Sequence, residues 1–97
     1  MTEIHQVTIA HRKAQGLSLR RFAHEINSKL INTDISHTTV ARMESEEKPM
    51  EPDMRLLFEC LATYSDWRAE WARDCLQSMW QDLFMSGVVR IELPKAE

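Results

Sequence analysis

The sequence predicts one all-α domain of five helices, followed by a short C-terminal strand. Its 97 residues, 43% of them hydrophobic, suffice for one compact core and are too few for two. Two glycines and three prolines among many Ala, Leu, Glu, Arg and Met residues favour helices over turn-rich β-structure. Apolar residues also recur at helical spacing along most of the chain.

The first two helices are predicted from apolar stripes and from residues that start or stop a helix. The first covers residues 3–15, with an apolar stripe formed by Ile4, Val7, His11 and Ala14. Gly16 followed by Leu17 is a C-terminal stop, and Ser18 can cap the next helix. The inward positions of helix two are Leu19, Phe22, Ala23, Ile26 and Leu30, before Asn32-Thr33-Asp34 breaks the chain.

Residues 35–44 predict a third, short helix that buries little. Ser36 is a good N-cap, and Ile35 and Val40 have the spacing of a hydrophobic staple. Only Val40 and Met43 require burial. The other side chains are hydrogen-bonding groups of a size that reaches base edges in a DNA major groove, namely His37, Thr38, Thr39, Arg42 and Ser45.

Two more helices follow. The fourth starts near Pro52, which suits a first helical position, and its buried face is Met54, Leu57, Phe58 and Leu61. The fifth begins at Ser65 or Asp66 and runs to about Met85. It carries two apolar stripes, Trp67, Trp71 and Cys75 on one and Ala69, Ala72, Leu76, Met79 and Leu83 on the other, with Trp80 and Phe84 beside the second.

The second stripe of helix five predicts a homodimer, because an outer helix of a small monomer needs only one. Residues 88–93 are β-branched and partly alternating, which predicts a strand that pairs with its copy across a two-fold axis. The predicted dimer interface is Ala72, Leu76, Met79, Trp80, Leu83, Val89 and Ile91. Residues 1–64 are then the ligand-binding part and residues 65–97 the dimerisation part of one compact unit.

Several classes of function find no support in the sequence. No apolar run approaches the roughly 20 residues that cross a bilayer, and the start lacks a signal-peptide pattern, so we expect a cytoplasmic protein without a membrane partner. The histidines, Cys60 and Cys75 show no metal-site spacing. No phosphate loop, nucleophile elbow or carboxylate pair is evident, so we expect no catalysis and no cofactor.

The net charge of −3 conceals an asymmetry. Residues 1–45 carry six basic and four acidic side chains, whereas residues 46–97 carry six basic and eleven acidic ones. The third helix therefore lies in the half with a net charge of +2. Positive charge on that half favours a phosphate-containing partner, whereas the overall acidity opposes one.

Over roughly residues 12–67, the chain resembles the lambda-repressor-like helix-turn-helix family, also called Xre/Cro. The resemblance depends on an ordered set of short pieces. These are Arg12 before the Gly16-Leu17-Ser18 turn, Phe22-Ala23, the run from Ser36 to Glu44, Pro49, Leu57, Leu61 and Ser65-Asp66-Trp67. No single piece is specific. The resemblance implies a helix-turn-helix domain in residues 1–64 that binds double-stranded DNA.

The resemblance also implies roles for particular residues. Ser36, His37, Thr38, Thr39 and Arg42 match the recognition helix, Ser18, Arg20 and Arg21 match the start of the helix that crosses the DNA backbone, and Lys48 matches a basic turn position. Arg12 and Glu44 match an internal salt bridge. From the residues alone, Arg42 could contact a guanine or pair with Glu46 at i+4.

The chain departs from the family pattern in two places. Ala23 to Ser36 is longer by about six residues, so either helix two gains a turn through Lys29 and Leu30 or the connection is a loop. Glu46, followed by Glu47, stands where the family commonly has glycine, and this negative charge should reduce non-specific affinity for DNA.

The function predicted from these features is a homodimeric transcriptional regulator, a repressor, that binds a palindromic operator. Two alternatives remain open at this point. One is an antitoxin that binds a toxin through its C-terminal region and represses its own operon. The other is a protein-interaction module with the same fold that does not bind DNA.

Overall fold

The computed structural model describes residues 3–81, which contain five α-helices. They are α1 (Ile4–Ala14), α2 (Leu19–Asn27), α3 (His37–Met43), α4 (Met54–Thr63) and α5 (Trp67–Met79). Within that range there is no strand, and the predicted all-α class is confirmed. The strand predicted for residues 88–93 lies outside the described residues.

The end of α1 sets the direction in which the chain enters α2. Gly16 has a φ of +67°, a conformation that costs glycine little because it has no Cβ. Its N–H donates to the carbonyl of Lys13 at 3.0 Å, and the Leu17 N–H donates to the carbonyl of Arg12 at 3.1 Å. These two bonds form the Schellman motif, and the predicted stop at Gly16-Leu17 is confirmed.

Trp71 of α5 connects three helices at the centre of the molecule. Its ring is fully buried and meets Phe22 of α2 edge-on, with centroids 5.5 Å apart and an interplanar angle of 81°. Its indole N–H donates to the hydroxyl of Thr8 in α1 at 3.1 Å. Trp67, one turn earlier in α5, packs on the same Phe22 ring at 5.5 Å. A single aromatic cluster therefore fixes α1, α2 and α5 together.

All five helices contribute to one hydrophobic core. α5 packs on α4 and α1, while α3 packs on α2 and α1. The buried members are Val7, Phe22, Ala23, Ile26, Val40, Met43, Leu56, Leu57, Cys60, Tyr64, Ala69, Trp71, Ala72, Cys75 and Leu76. Residues 65–79 thus share a core with the helices that precede them.

Two predicted inward positions and one predicted helix start are wrong. Ala14 is exposed, and Phe58 is 48% exposed, because the buried side of α4 runs through Leu56, Leu57 and Cys60 instead. Pro52 does not open α4 either. It is buried before the N-cap Asp53, whose side chain accepts from the N–H of Arg55 at 2.8 Å.

Two helices end earlier than their apolar spacing predicts. α2 ends at Asn27 and gains no extra turn, so the long connection to α3 is a loop. α5 ends at Met79, because Trp80 leaves the helical conformation at φ −123° and ψ 42°, and Gln81 is again helical. The Trp80 side chain packs against the core from this position. Residues 82–85 lie outside the described range.

Both cysteines are structural parts of the core. Cys60 in α4 and Cys75 in α5 are fully buried and unpaired. Burial raises the pKa of the Cys60 thiol to about 12 and also raises that of Cys75, because a charged thiolate would lose its hydration. They behave as small apolar side chains.

Candidate nucleic-acid interface

The α3 helix begins as its sequence predicts. The Ser36 hydroxyl accepts from the N–H of Thr39 at 3.1 Å, which caps the helix. Ile35 is half-buried before the cap, and Val40 and Met43 are fully buried. α3 therefore shows one narrow apolar side to the core and leaves the rest of its surface to other partners.

The outward side of α3 carries most of the predicted contact residues. Ser36, Thr38 and Arg42 are exposed, whereas His37 and Thr39 are half-buried. The Thr39 hydroxyl lies 3.1 Å from the Ser36 hydroxyl, so these two groups are already hydrogen-bonded to each other.

The Arg42 guanidinium makes no ion pair with any residue between 3 and 81, and the i+4 pairing with Glu46 is not formed there. Thr38 and Arg42 are accordingly the two side chains of α3 most available for an external ligand. They lie one turn apart on the helix, at positions i and i+4.

The residues predicted at the start of α2 fall into two groups. Ser18 and Arg20 are exposed, and the Ser18 hydroxyl caps the helix by accepting from the N–H of Arg21 at 3.1 Å. The Arg21 guanidinium lies 3.3 Å from the Glu25 carboxylate one turn later. Because that pair already compensates part of the Arg21 charge, Arg20 is the more available cation of the two.

The turn after α3 folds back onto the helix. The N–H of Met50 donates to the carbonyl of Arg42 at 3.1 Å, which keeps residues 44–50 beside the end of α3. Lys48 is exposed in this turn, together with Glu46 and Glu47. The predicted cation and the two unfavourable acids therefore lie near the same end of α3.

Arg12 and Glu44 form the ion pair that the resemblance implied. The guanidinium donates from Nε to one carboxylate oxygen at 2.6 Å and from Nη2 to the other at 2.9 Å. A third donor, Nη1, binds the carbonyl of Leu17 at 3.0 Å. The bond to Glu44 raises the pKa of Arg12. This fork joins α1, the α1–α2 turn and the end of α3.

The connection between α2 and α3, residues 28–36, is tied to the protein at its end by Asn27. The Asn27 amide nitrogen donates to the carbonyl of Ile35 at 2.8 Å, and its amide oxygen accepts from the Ile35 N–H at 2.8 Å. One side chain thus satisfies both backbone groups of the residue that precedes the α3 cap.

The middle of this connection is bound to α4 by one carboxylate. Glu59 accepts from the N–H of Ile31 at 2.9 Å, from that of Asn32 at 3.2 Å and from the hydroxyl of Thr33 at 2.7 Å. These donors lower the pKa of Glu59, with the Ile31 bond the largest cause, because they stabilise the charged form.

The start of the connection is bound by Tyr64 and Arg68, which flank the turn between α4 and α5. The Tyr64 hydroxyl donates to the carbonyl of Ile26 at 2.6 Å and accepts from the N–H of Lys29 at 3.0 Å. The Arg68 guanidinium lies 3.8 Å from the Tyr64 ring centre and donates to the carbonyl of Glu25 at 3.2 Å. The first bond satisfies the Ile26 carbonyl at the end of α2, and the Arg68 bond adds a donor to the Glu25 carbonyl, which also accepts from Ser28.

Sequence reasoning missed Asn27, Glu59, Tyr64 and Arg68. The one signal available was the length of the connection, which exceeds the family pattern. A long connection that stays ordered needs partners for its backbone groups. The sequence does not show which side chains supply them, because the Ile31 N–H and the Glu59 carboxylate that accepts from it are separated by 28 residues.

The predicted dimer residues divide between the core and the surface. Ala72 and Leu76 are fully buried within a single chain, because α5 packs them against its own neighbouring helices, and they offer no surface to a second copy. Met79 and Trp80 are half-buried. Leu83, Val89 and Ile91 lie outside the described residues.

Comparisons of the chain with protein-family models, curated proteins and solved structures found no match. Within residues 3–81, no helix is long and apolar enough to cross a membrane, and no cluster of three or more His, Cys, Asp or Glu side chains could hold a metal ion.

Replacing Arg12 by Met should lower the free energy of unfolding by about 3 kcal/mol, because it leaves the Glu44 carboxylate unpaired and only 11% exposed. Urea denaturation at pH 7 measures this loss. The double variant R12M/E44L removes both charges and should be less destabilised than the sum of the two single variants. Additive losses would show that the two residues do not stabilise each other.

Replacing Glu59 by Gln should destabilise the protein at pH 6 and matter less as the pH falls. The pKa of Glu59 is lowered from its ordinary value of 4.5 in the folded protein. Its stabilising effect is therefore fully present above about pH 4.5 and is lost as the pH falls through the lowered pKa. Urea denaturation between pH 6 and pH 3 should show that the difference in free energy of unfolding between E59Q and the parent decreases as the pH falls.

The matched control is Glu51→Gln, which removes an exposed carboxylate with no hydrogen bond in the described part of the chain. E51Q should match the parent at pH 6. A constant difference between E59Q and the parent over the whole pH range would show that the Glu59 charge does not hold the connection.

Proposed function

We propose that this protein is a sequence-specific DNA-binding regulator of transcription, a repressor, that acts as a homodimer on a palindromic operator. The observation that carries the proposal is the division of α3. Val40 and Met43 are fully buried, while Thr38 and Arg42 are exposed and Arg42 makes no ion pair among residues 3–81. In this proposal the protein acts in the cytoplasm and needs no cofactor.

The chemistry of α3 suits base edges. A guanidinium can donate two bonds to O6 and N7 of guanine, and a threonine hydroxyl can donate to or accept from either base pair. In the proposed complex α3 lies in the major groove, with Arg42 and Thr38 at the bases. Ser36, His37 and Thr39 lie at the edge of this contact. The hydroxyls of Ser36 and Thr39 are hydrogen-bonded to each other, so these two groups are less available to DNA.

The phosphate contacts would come from the start of α2 and from the turn after α3. Arg20 and Lys48 are exposed there, and neither makes an ion pair in the described structure. Ser18 and Arg21 are adjacent supporting groups. Because Glu46 and Glu47 are exposed in the same turn as Lys48, we expect weak affinity for random DNA and a greater dependence on base contacts.

Dimerisation would place two α3 helices about one helical turn of DNA, roughly 34 Å, apart. The exposed parts of Met79 and Trp80, at the end of α5, are the described groups that support this arrangement. This proposed interface is smaller than the apolar stripe expected from the sequence, because Ala72 and Leu76 are buried in the core of the monomer.

Replacing Arg42 by Ala should weaken operator binding by about 1–3 kcal/mol and relax selectivity at one base position. The operator is obtained by selecting bound duplexes from a random pool with the parent protein, and gel shift measures the affinities. Arg55→Ala is the control, because it removes an equal exposed charge from α4. Equal losses in R42A and R55A would indicate general charge attraction and contradict the role of Arg42.

Replacing Met79 by Glu should convert dimers to monomers, measured as a halved mass by light scattering at micromolar concentration. Gln77→Glu is the control, since Gln77 is exposed on α5 and the change in charge is similar. An unchanged mass in M79E, or the same loss in Q77E, would move the interface away from the end of α5.

A second candidate function is a protein-interaction module, and one observation favours it. Ile31 is 89% exposed and Phe58 is 48% exposed, and neighbouring exposed apolar side chains can form a patch that binds another protein. Glu59 holds the backbone of Ile31 and directly follows Phe58 in α4. An antitoxin, which binds both a toxin and DNA, would combine this function with the first.

Binding to random duplex DNA at decreasing salt separates these functions. A DNA-binding protein should bind more tightly as the salt concentration falls, because phosphate contacts release counterions. A flat response down to low salt would favour the interaction module. Salt-dependent binding together with a toxin gene beside this one would favour the antitoxin.

A further inference from the structure

The position of α3 depends on groups outside its own seven residues. Val40 and Met43 are its only fully buried side chains, and they lie about one turn apart on one side of the helix. Two contact points define a line, and a rigid helix can still roll about that line. Because the roll angle decides where Thr38 and Arg42 point, other contacts must fix it.

Two contacts from other helices act at opposite ends of α3. At the C-terminal end, Glu44 is bound by the fork of Arg12. At the N-terminal end, the side chain of Asn27 binds both the N–H and the carbonyl of Ile35 at 2.8 Å. Asn27 is the last residue of α2, so its amide connects the end of one helix directly to the entrance of the next.

The chemistry of position 27 is specific. A carboxamide donates and accepts at once and so pairs with a backbone unit as another peptide group would. Aspartate keeps the acceptor for the Ile35 N–H but places an oxygen opposite the Ile35 carbonyl, where the structure needs a donor. Alanine leaves both groups of Ile35 without this partner.

From this geometry we infer that Asn27 is a positioning residue for the face of α3 that carries Thr38 and Arg42. The inference rests on the proposed function. Asn27 acts through the backbone of Ile35: it fixes the angle at which α3 leaves the connection and thereby the direction of the two side chains. Loss of its two bonds lets α3 roll, which costs selectivity for bases more than attraction to phosphates.

A matched control exists within the same connection. The Thr33 hydroxyl donates to Glu59 at 2.7 Å and belongs to the part of the connection that is bound to α4. Thr33→Val removes that bond without touching the contact between Asn27 and Ile35. General loosening of the connection should appear in both variants, whereas loss of positioning should appear only in variants of Asn27.

The test compares Asn27→Ala, Asn27→Asp and Thr33→Val with the parent by gel shift on two duplexes. One is the sequence that the parent selects from a random pool, and the other is random-sequence DNA of equal length. Both Asn27 variants should lose about tenfold in affinity for the selected duplex and keep their affinity for random DNA within about twofold. T33V should stay within about twofold of the parent on both.

The comparison is made at a temperature where circular dichroism shows every variant to be fully folded, so that unfolding does not contribute. Parental selectivity in both Asn27 variants would overturn the inference and leave the proposed function intact. Equal losses in T33V and N27A would also overturn it, because the effect would then be general loosening. Failure of the parent to select any sequence would overturn the proposed function and the inference with it.

Discussion

The fork between Arg12 and Glu44 is the interaction on which the arrangement of α3 most depends. α3 has seven residues and contributes two fully buried side chains, so its own apolar contacts cannot fix its orientation. Arg12 connects its end to α1 and, through the carbonyl of Leu17, to the turn that enters α2. Three parts of the chain thus meet at one guanidinium, whose planar set of donors a lysine could not reproduce.

The connection between α2 and α3 extends this support to α4 and α5. Ordering a backbone residue costs about 1–2 kcal/mol, while a single hydrogen bond returns only about 1 kcal/mol net. No one bond could therefore hold the connection. Tyr64 at its start, Glu59 at its middle and Asn27 at its end must act together to keep the long connection ordered.

The features that the sequence predicted correctly are local ones. The caps at Ser18 and Ser36 and the stop at Gly16 need only residues within a few positions, and the structure contains all three. Spacing alone misjudged Phe58, because α4 buries Leu56, Leu57 and Cys60 against its neighbours and this leaves Phe58 on the outside. The contacts of Glu59 and Tyr64 join residues 28 and 38 positions apart, and pairings at that distance follow from packing rather than from local pattern. Arg12 and Glu44, 32 positions apart, were expected only because of the family resemblance.

Because Cys60 and Cys75 are buried, the reactivity of their thiols reports local unfolding of the helices that cover them. A thiol reacts as a thiolate, and burial disfavours that form in both cysteines while the surrounding helices are closed, because it raises the pKa of each thiol. Cys60 lies in α4, directly after the glutamate that binds the α2–α3 connection, and Cys75 lies in α5 among the groups around Trp71. An alkylating reagent would therefore mark each helix at the moment it separates from the core. The relative rates of labelling would tell whether α4 and α5 detach one after the other or in a single event.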